Sequence, residues 1–184
     1  MGVNEMEILN ILVIDDSEAN LKAATEQLAG HNVVTESSFS SARHQLDPEA
    51  SYKRFKGKFD AVLVDLLMPM DVVNAGNGST FSGTYMGDKG LAFVGQELPL
   101  GIFLVLYAAK VGVKNIALLT DADHHDHPAS ACLDMFQGKP MVIGDAKVLL
   151  TNNHGWVKTT FGQDGKEVSR TKMWDKLLEH LLSC

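Results

Sequence analysis

The sequence predicts a doubly wound α/β domain built on a five-stranded parallel sheet. Short apolar runs at 8–14, 61–64 and 116–119 are typical of strands that are covered on both faces. Two shorter strands are expected at 33–36 and 141–143. Helix-forming segments separate these strands, and strands joined by right-handed helical crossovers lie parallel in one sheet.

Local capping and stop signals predict five helices around this sheet. Ser17 is suited to cap the first helix, and Gly30 is suited to end it. Pro48 is expected to break or kink the second helix, and Pro128 to begin the fourth. The expected helical segments are 18–29, 40–56, 98–111, 128–136 and, after a cap at Thr171, 172–182.

Composition limits the class of protein. A chain of 184 residues with 45% hydrophobic residues can bury the core of a single domain, 1–184. The net charge of −7 argues against a nucleic-acid or anionic-membrane surface, and the longest apolar run, 102–109, is too short to span a bilayer. The two cysteines and the acidic N-terminus suit a cytoplasmic protein without a signal peptide. We expect a monomer or a weak homodimer.

Polar residues follow the predicted strands where each strand ends. Asp15 and Asp16 come after the first strand, Asp65 after the third, Thr120 after the fourth, and Lys147 follows the fifth. The carboxyl ends of parallel strands lie at one edge of a sheet, where ligands bind. Clustered carboxylates suit Mg²⁺, and a hydroxyl and an ammonium group suit a phosphoryl group. Each residue alone could equally be a turn residue.

Three strings of residues carry a resemblance to a known family. The segments ILVIDD (11–16), FDAVLVDLLMP (59–69) and NIALLT (115–120) resemble the receiver domain of two-component response regulators. The resemblance implies a flavodoxin-like, three-layer sandwich and a Mg²⁺ cofactor. It implies that Asp65 is the phosphoryl-accepting nucleophile and that Thr120 and a lysine contact the phosphoryl group. The implied metal ligands are Asp16, Asp65, the Leu67 carbonyl and, mainly through water, Asp15.

The resemblance implies a signalling module that catalyses at most its own phosphorylation and dephosphorylation. Its expected partners are a histidine kinase or phosphotransfer protein and a downstream protein, bound through the face near the fourth and last helices. The alternative is a degenerate receiver-like scaffold that is never phosphorylated and acts only by binding proteins. A third interpretation, a metal-dependent phosphatase, is disfavoured because Leu67 stands where a second aspartate would be required.

The site lysine is ambiguous from sequence. Residues 136–140, FQGKP, resemble the aromatic-x-x-Lys-Pro string of receivers, which would select Lys139. Lys139 would, however, enter the predicted strand 141–143 at its amino end, on the wrong side of the sheet. We therefore prefer Lys147, which follows the carboxyl end of that strand. The strand also lacks the aromatic residue usual in the family, so coupling between Thr120 and an aromatic switch is not expected.

Two predicted insertions separate this chain from the receiver pattern. Residues 72–94, rich in glycine and small polar residues, separate Met70-Asp71 from Gly95-Gln96-Glu97-Leu98. We interpret them as a lid or partner-docking loop at the rim of the site, or as a tolerated surface loop. A hairpin at about 155–168 forms a second insertion before the last helix. With one helix after it, the receiver is expected to stand alone, without an output domain.

A polar run after the fourth predicted strand has the composition of a metal site. Asp121, Asp123, His124, His125, Asp126 and His127 lie within seven residues. Histidine and aspartate at this density can bind Zn²⁺ or Ni²⁺. Adjacent side chains in a loop seldom converge on one ion, however, so a solvated polar loop is the favoured interpretation.

Overall fold

The fold is known from a computed structural model, which describes residues 7–50, 53, 55–70, 95–125, 127–136, 138–152, 155–161 and 163–183. The helices are α1 (Glu18–Gln27), α2 (Phe39–Leu46), α3 (Gly101–Lys110), α4 (Pro128–Leu133) and α5 (Trp174–Ser183). The strands are β1 (Asn10–Ile14), β2 (Asn32–Glu36), β3 (Ala61–Asp65), β4 (Met68–Pro69), β5 (Glu97–Leu98), β6 (Asn115–Leu119), β7 (Met141–Ile143), β8 (Ala146–Thr151), β9 (Val157–Phe161) and β10 (Glu167–Lys172).

The main sheet has six strands in the order β2-β1-β3-β6-β8-β7. The first five are parallel, and their order along the chain, 2-1-3-4-5, is that of flavodoxin-like folds. The sequence prediction of a doubly wound sheet with five parallel strands is therefore confirmed. The sixth strand, β7, is antiparallel to β8 and lies at the edge.

One strand assignment from sequence is wrong. Residues 141–143 form the antiparallel edge strand β7, and the fifth parallel strand is β8. The chain reverses between them at Gly144, whose φ of 61° is in the left-handed region that glycine adopts readily. The corrected strand also contains no aromatic residue.

Apolar side chains cover both faces of the sheet, because successive residues of a strand point to opposite sides. Leu12 and Ile14 of β1 face a layer formed by α2, α3 and α4. Ile11 and Val13 face α1 and α5, where the Trp174 ring is fully buried. This arrangement is the expected three-layer sandwich. In the described part of the chain, no helix is long and apolar enough to cross a membrane.

The structure describes the flanks of the first predicted insertion and most of the second. Residues 72–94 lie outside the described residues, but the segments that flank them meet: β4 pairs with β5, and the Gly95 amide donates to the Met70 carbonyl at 2.8 Å. The second insertion contains the expected antiparallel hairpin of β9 and β10. This hairpin extends to Lys172, so Thr171 is a strand residue and not the cap of the last helix.

Candidate functional site

Three strand ends bring acidic and hydroxyl side chains to one edge of the sheet. Asp65 is the last residue of β3, and Asp15 and Thr120 directly follow the neighbouring strands β1 and β6. The register aligns Ile14 with Val64 on one side and Asp65 with Leu119 on the other. Asp15, Asp65 and Thr120 are all buried, with exposed fractions of 4% or less.

A lysine that the sequence analysis did not select lies between the two buried aspartates. The Lys172 ammonium group donates to Asp15 Oδ2 at 2.6 Å and to Asp65 Oδ1. Only 1% of Lys172 is exposed. Lys172 ends β10, where its amide donates to Asn20 Oδ1 and its carbonyl accepts from Gln27 Nε2. Helix α1 therefore fixes the backbone that delivers this ammonium group to the aspartates.

The Asp15 carboxylate is held by several donors. It accepts hydrogen bonds from the Ser17 amide at 2.9 Å and from Asn20 Nδ2 at 3.1 and 3.2 Å, besides the bond from Lys172. Ser17 also caps α1 by accepting from the Asn20 amide, as the sequence predicts. The turn from β1 into α1 thus orients Asp15 toward Asp65.

Burial and charge shift the pKa values of the central pair. Burial raises the pKa of the Asp65 carboxyl to about 8, although the neighbouring Lys172 ammonium acts in the opposite direction. Burial alone would lower the pKa of Lys172, but the carboxylates of Asp65 and Asp15 outweigh it and raise that pKa above its ordinary value. The ammonium group is therefore charged. A second cation near Asp65 would favour its ionised form.

These groups open onto a pocket of about 270 Å³ that is rich in carboxylates. Partial burial and the nearby Asp15 charge raise the pKa of the Asp16 carboxyl, which lies at this opening. Two cationic side chains, Arg170 and Lys172, line the same pocket. The carboxylate-bearing residues that line it are Asp15, Asp16, Asp65, Glu97 and Asp121.

The donor set fits a hard divalent cation. Mg²⁺ prefers carboxylate, carbonyl and water oxygens, and the pocket lining contains five carboxylates and Leu67, whose backbone carbonyl is a further candidate ligand. Among the described lining residues, two cationic side chains cannot neutralise five carboxyl groups. The residues present therefore fit Mg²⁺, and an added cation would relieve their mutual repulsion.

The residues predicted from sequence are distributed as follows. Asp15, Asp16, Asp65 and Leu67 line the pocket together. Thr120 lies at the same edge, where its Oγ1 accepts from the Ala122 amide at 3.2 Å, but it is not among the pocket-lining residues.

Neither predicted lysine lines this pocket. Lys147 aligns with Asn115 at the amino end of β6, and its ammonium group donates to the Leu181 carbonyl at 3.2 Å. Lys139 precedes β7 and is exposed. The preference for Lys147 as the site lysine placed it at the wrong end of the strand, because the strand had been assigned to 141–143. The lysine that contacts Asp65 and Asp15 is Lys172.

Lys172, Asn20 and Arg170 were missed by the sequence analysis. No alternation of apolar and polar residues in 167–172 marks a strand that ends on Lys172. The assignment of Thr171 as a helix cap placed Lys172 inside the last helix. Nothing local in the sequence marks Asn20, which looks like an ordinary residue of the first helix.

Comparisons with known proteins assign neither a family nor a function to this chain. No family model matches the chain, and no curated protein matches it. The chain is similar to a solved structure described as "BeF3 Activated DrrB Receiver Domain". That structure is 14% identical, with a TM-score of 0.47, and the match covers 97% of this chain and 100% of the other. A similarity this low assigns no function, so the function is inferred from the geometry of the site.

Proposed function

We propose that this protein is a receiver-like signalling module that accepts a phosphoryl group on Asp65. The observation that carries the proposal is the Lys172 ammonium group, which is buried between the carboxylates of Asp65 and Asp15 at the carboxyl ends of adjacent strands. A buried strand-end carboxylate that opens onto a pocket, beside a fixed positive charge, suits attack on phosphorus.

Asp65 Oδ2 is the proposed nucleophile. Lys172 occupies Oδ1, and Oδ2 receives no hydrogen bond from the residues that the structure describes. In the proposed step Oδ2 forms a bond to the phosphorus atom of a donor while the bond from phosphorus to the donor's leaving atom breaks, and the leaving group departs with the electron pair. The product is an acyl phosphate. Hydrolysis releases inorganic phosphate and restores the carboxylate.

Lys172 and Mg²⁺ would each neutralise part of the negative charge at the site. The ammonium group stabilises ionised Asp65 and can shift toward a phosphoryl oxygen as negative charge is transferred to the site. Mg²⁺, held by Asp16, Asp65 and the Leu67 carbonyl with Asp15 acting mainly through water, would neutralise charge on the phosphoryl oxygens. Thr120 is proposed to donate its hydroxyl proton to the same group, which it can do while its Oγ1 accepts from the Ala122 amide.

Other proteins would bind the phosphorylated form of the module. We propose a histidine kinase or phosphotransfer protein as the donor and a downstream protein as the output partner, in the cytoplasm. The module would catalyse only its own phosphorylation and dephosphorylation, because the acceptor is its own side chain. No nucleic-acid or membrane surface is proposed, given the net charge of −7.

Intact-mass measurement with a small phosphodonor tests the proposal. Incubation with acetyl phosphate and Mg²⁺ should add one phosphoryl mass that is lost in base. Asp65→Asn should not gain this mass, and Lys172→Met should gain it far more slowly, whereas the matched variant Lys147→Met should behave like wild type. An unchanged wild-type mass, under conditions that label a known receiver domain, would refute phosphorylation and favour a scaffold that acts only by binding.

A further inference from the structure

The loop that follows β6 brings together side chains that the sequence analysis expected to be separately solvated. One potential ligand atom from each of Asp123, His124 and His125 lies within 4.8 Å of the others. These residues are consecutive, and convergence of adjacent side chains requires a specific turn of the backbone. The Asp123 carboxylate supports this turn, because its Oδ1 accepts a hydrogen bond from the His125 amide at 2.9 Å.

The two imidazole rings are arranged as a pair of ligands. Nε2 of His124 lies 2.8 Å from Nε2 of His125, and the rings meet edge to face at an angle of 82°. A tetrahedral ion with metal–nitrogen bonds of about 2.0–2.1 Å holds two nitrogens roughly 3.3 Å apart. An opening of about half an ångström would therefore admit the ion. Asp123 Oδ1, 3.9 Å from His124 Nε2, is close enough to join them.

A further carboxylate lies beside His124. Nδ1 of His124 lies 3.3 Å from Oδ2 of Asp134, without the angle of a hydrogen bond, and the other oxygen of Asp134 accepts a hydrogen bond from Asn152. A histidine that binds a metal usually presents its second nitrogen to a carboxylate or carbonyl, which fixes the tautomer and the ring orientation. Asp134 is thus placed to accept a hydrogen bond from Nδ1 of His124 after a small rotation of the ring, with Nε2 facing the proposed ion.

We propose that Asp123, His124 and His125 bind a divalent first-row transition metal, with Zn²⁺ as the representative ion. Two imidazole nitrogens and one carboxylate oxygen suit Zn²⁺, Co²⁺, Ni²⁺ or Cu²⁺ and are a poor set for Mg²⁺, which prefers oxygen ligands. Exposed fractions of 29% for the His124 side chain and 39% for that of Asp123 leave a fourth position open to water. His127 takes another role, since its Nδ1 accepts from the Ala129 amide and caps α4.

This site is separate from the pocket around Asp65, although the two share the loop after β6. None of the three proposed ligands lines that pocket. The two proposals can therefore fail independently. Asp65→Asn should retain the transition-metal site, and loss of the two histidines should leave phosphorylation of Asp65 by acetyl phosphate intact.

Calorimetric titration of Zn²⁺ into untagged, EDTA-treated protein tests the proposal. Wild type should bind one equivalent, and Co²⁺ at the same site should show visible ligand-field absorption. The double variant His124→Ala/His125→Ala should lose at least about a hundredfold in affinity, and Asp134→Asn should lose about 10–100-fold, as expected for a residue that supports a ligand. The control His44→Ala, in α2 and outside the cluster, should bind like wild type.

Circular dichroism should show that each variant is folded. Wild-type affinity for Zn²⁺ no greater than that of the double variant would overturn the proposal. An equal loss in His44→Ala would overturn it as well, because binding would then depend on histidine content and not on this cluster.

Discussion

Replacing Lys172 with methionine removes the central positive charge of the site while keeping a side chain of similar length. Lys172 is 1% exposed and bonds to Asp15 and Asp65, so its loss leaves the buried Asp15 carboxylate, and that of Asp65 once it ionises, without their shared cation. Removing one partner of a buried ion pair costs about 3–5 kcal/mol. For a chain of 184 residues, each kcal/mol lowers the melting temperature by about 2–4 °C. We expect Lys172→Met to melt roughly 6–20 °C below wild type in EDTA.

Two further measurements separate the electrostatic cause from a simple packing defect. The deficit should be smaller at pH 5 than at pH 8, because protonation of a carboxylate removes the uncompensated charge. Adding Asp65→Asn to Lys172→Met should recover part of the lost stability, giving a coupling energy above about 1 kcal/mol in a double-mutant cycle. The exposed lysine variant Lys176→Met is the matched control and should melt close to wild type. A melting temperature for Lys172→Met within about 2 °C of that control would refute the reasoning.

Three other predictions follow from the same site. Asp16→Asn should raise the metal-free melting temperature, since it removes repulsion with Asp15, and should abolish the stabilisation that millimolar Mg²⁺ gives wild type. Without metal, the free energy of unfolding should fall as the pH rises from about 4 to about 8, because folded Asp65 keeps its proton in that window while the unfolded carboxyl does not. In Asp65→Asn this contribution to the pH dependence should be absent, which urea titrations at several pH values would measure. Gly101→Ala should lower the free energy of unfolding by about 1–3 kcal/mol or more, because the added Cβ would collide with the Asp65 carbonyl oxygen. The control Gly30→Ala, whose added Cβ would have no atom within 4 Å, should stay within about 0.5 kcal/mol of wild type in denaturant melts.

The sequence was sufficient for the parts of the fold that depend on local pattern. The buried runs 11–14, 61–64 and 116–119 within β1, β3 and β6 are apolar throughout and are followed by polar residues, so both the existence and the carboxyl ends of these strands could be predicted. Placing Asp15 and Asp65 at one edge then required only that the strands be parallel. The Ser17 cap followed from residue type and position alone.

The site lysine could not be predicted because its contacts are distant in sequence. Lys172 lies 157 residues after Asp15 and 107 after Asp65, and a hairpin separates it from β8. Residues 141–143 have the apolar character of a strand, but apolar character does not distinguish a parallel strand from an antiparallel edge strand. Because 141–143 was assigned as the fifth parallel strand, Lys147 was predicted to follow its carboxyl end. In the structure Lys147 lies near the amino end of β8.

The structure also changes the expected electrostatics of the acidic cluster. The sequence analysis placed Asp15, Asp16 and Asp65 together and preferred Lys147 as the lysine beside them. In the structure, the buried Lys172 ammonium group already offsets part of the charge of two of them. The stabilisation that we expect from Mg²⁺ should therefore be larger in Lys172→Met than in wild type, since the metal would then supply positive charge that the lysine no longer does.

The most direct test of the central claim is chemical identification of the phosphorylated residue. Protein treated with acetyl phosphate and Mg²⁺ would be reduced with borohydride, which converts an acyl phosphate to the corresponding alcohol, and then digested for peptide mass analysis. The account predicts that the reduced side chain is at position 65 and that no reduced peptide arises when the phosphodonor is omitted. Reduction at another aspartate, or a stable phosphoryl group on His124 or His125 with position 65 unmodified, would contradict it.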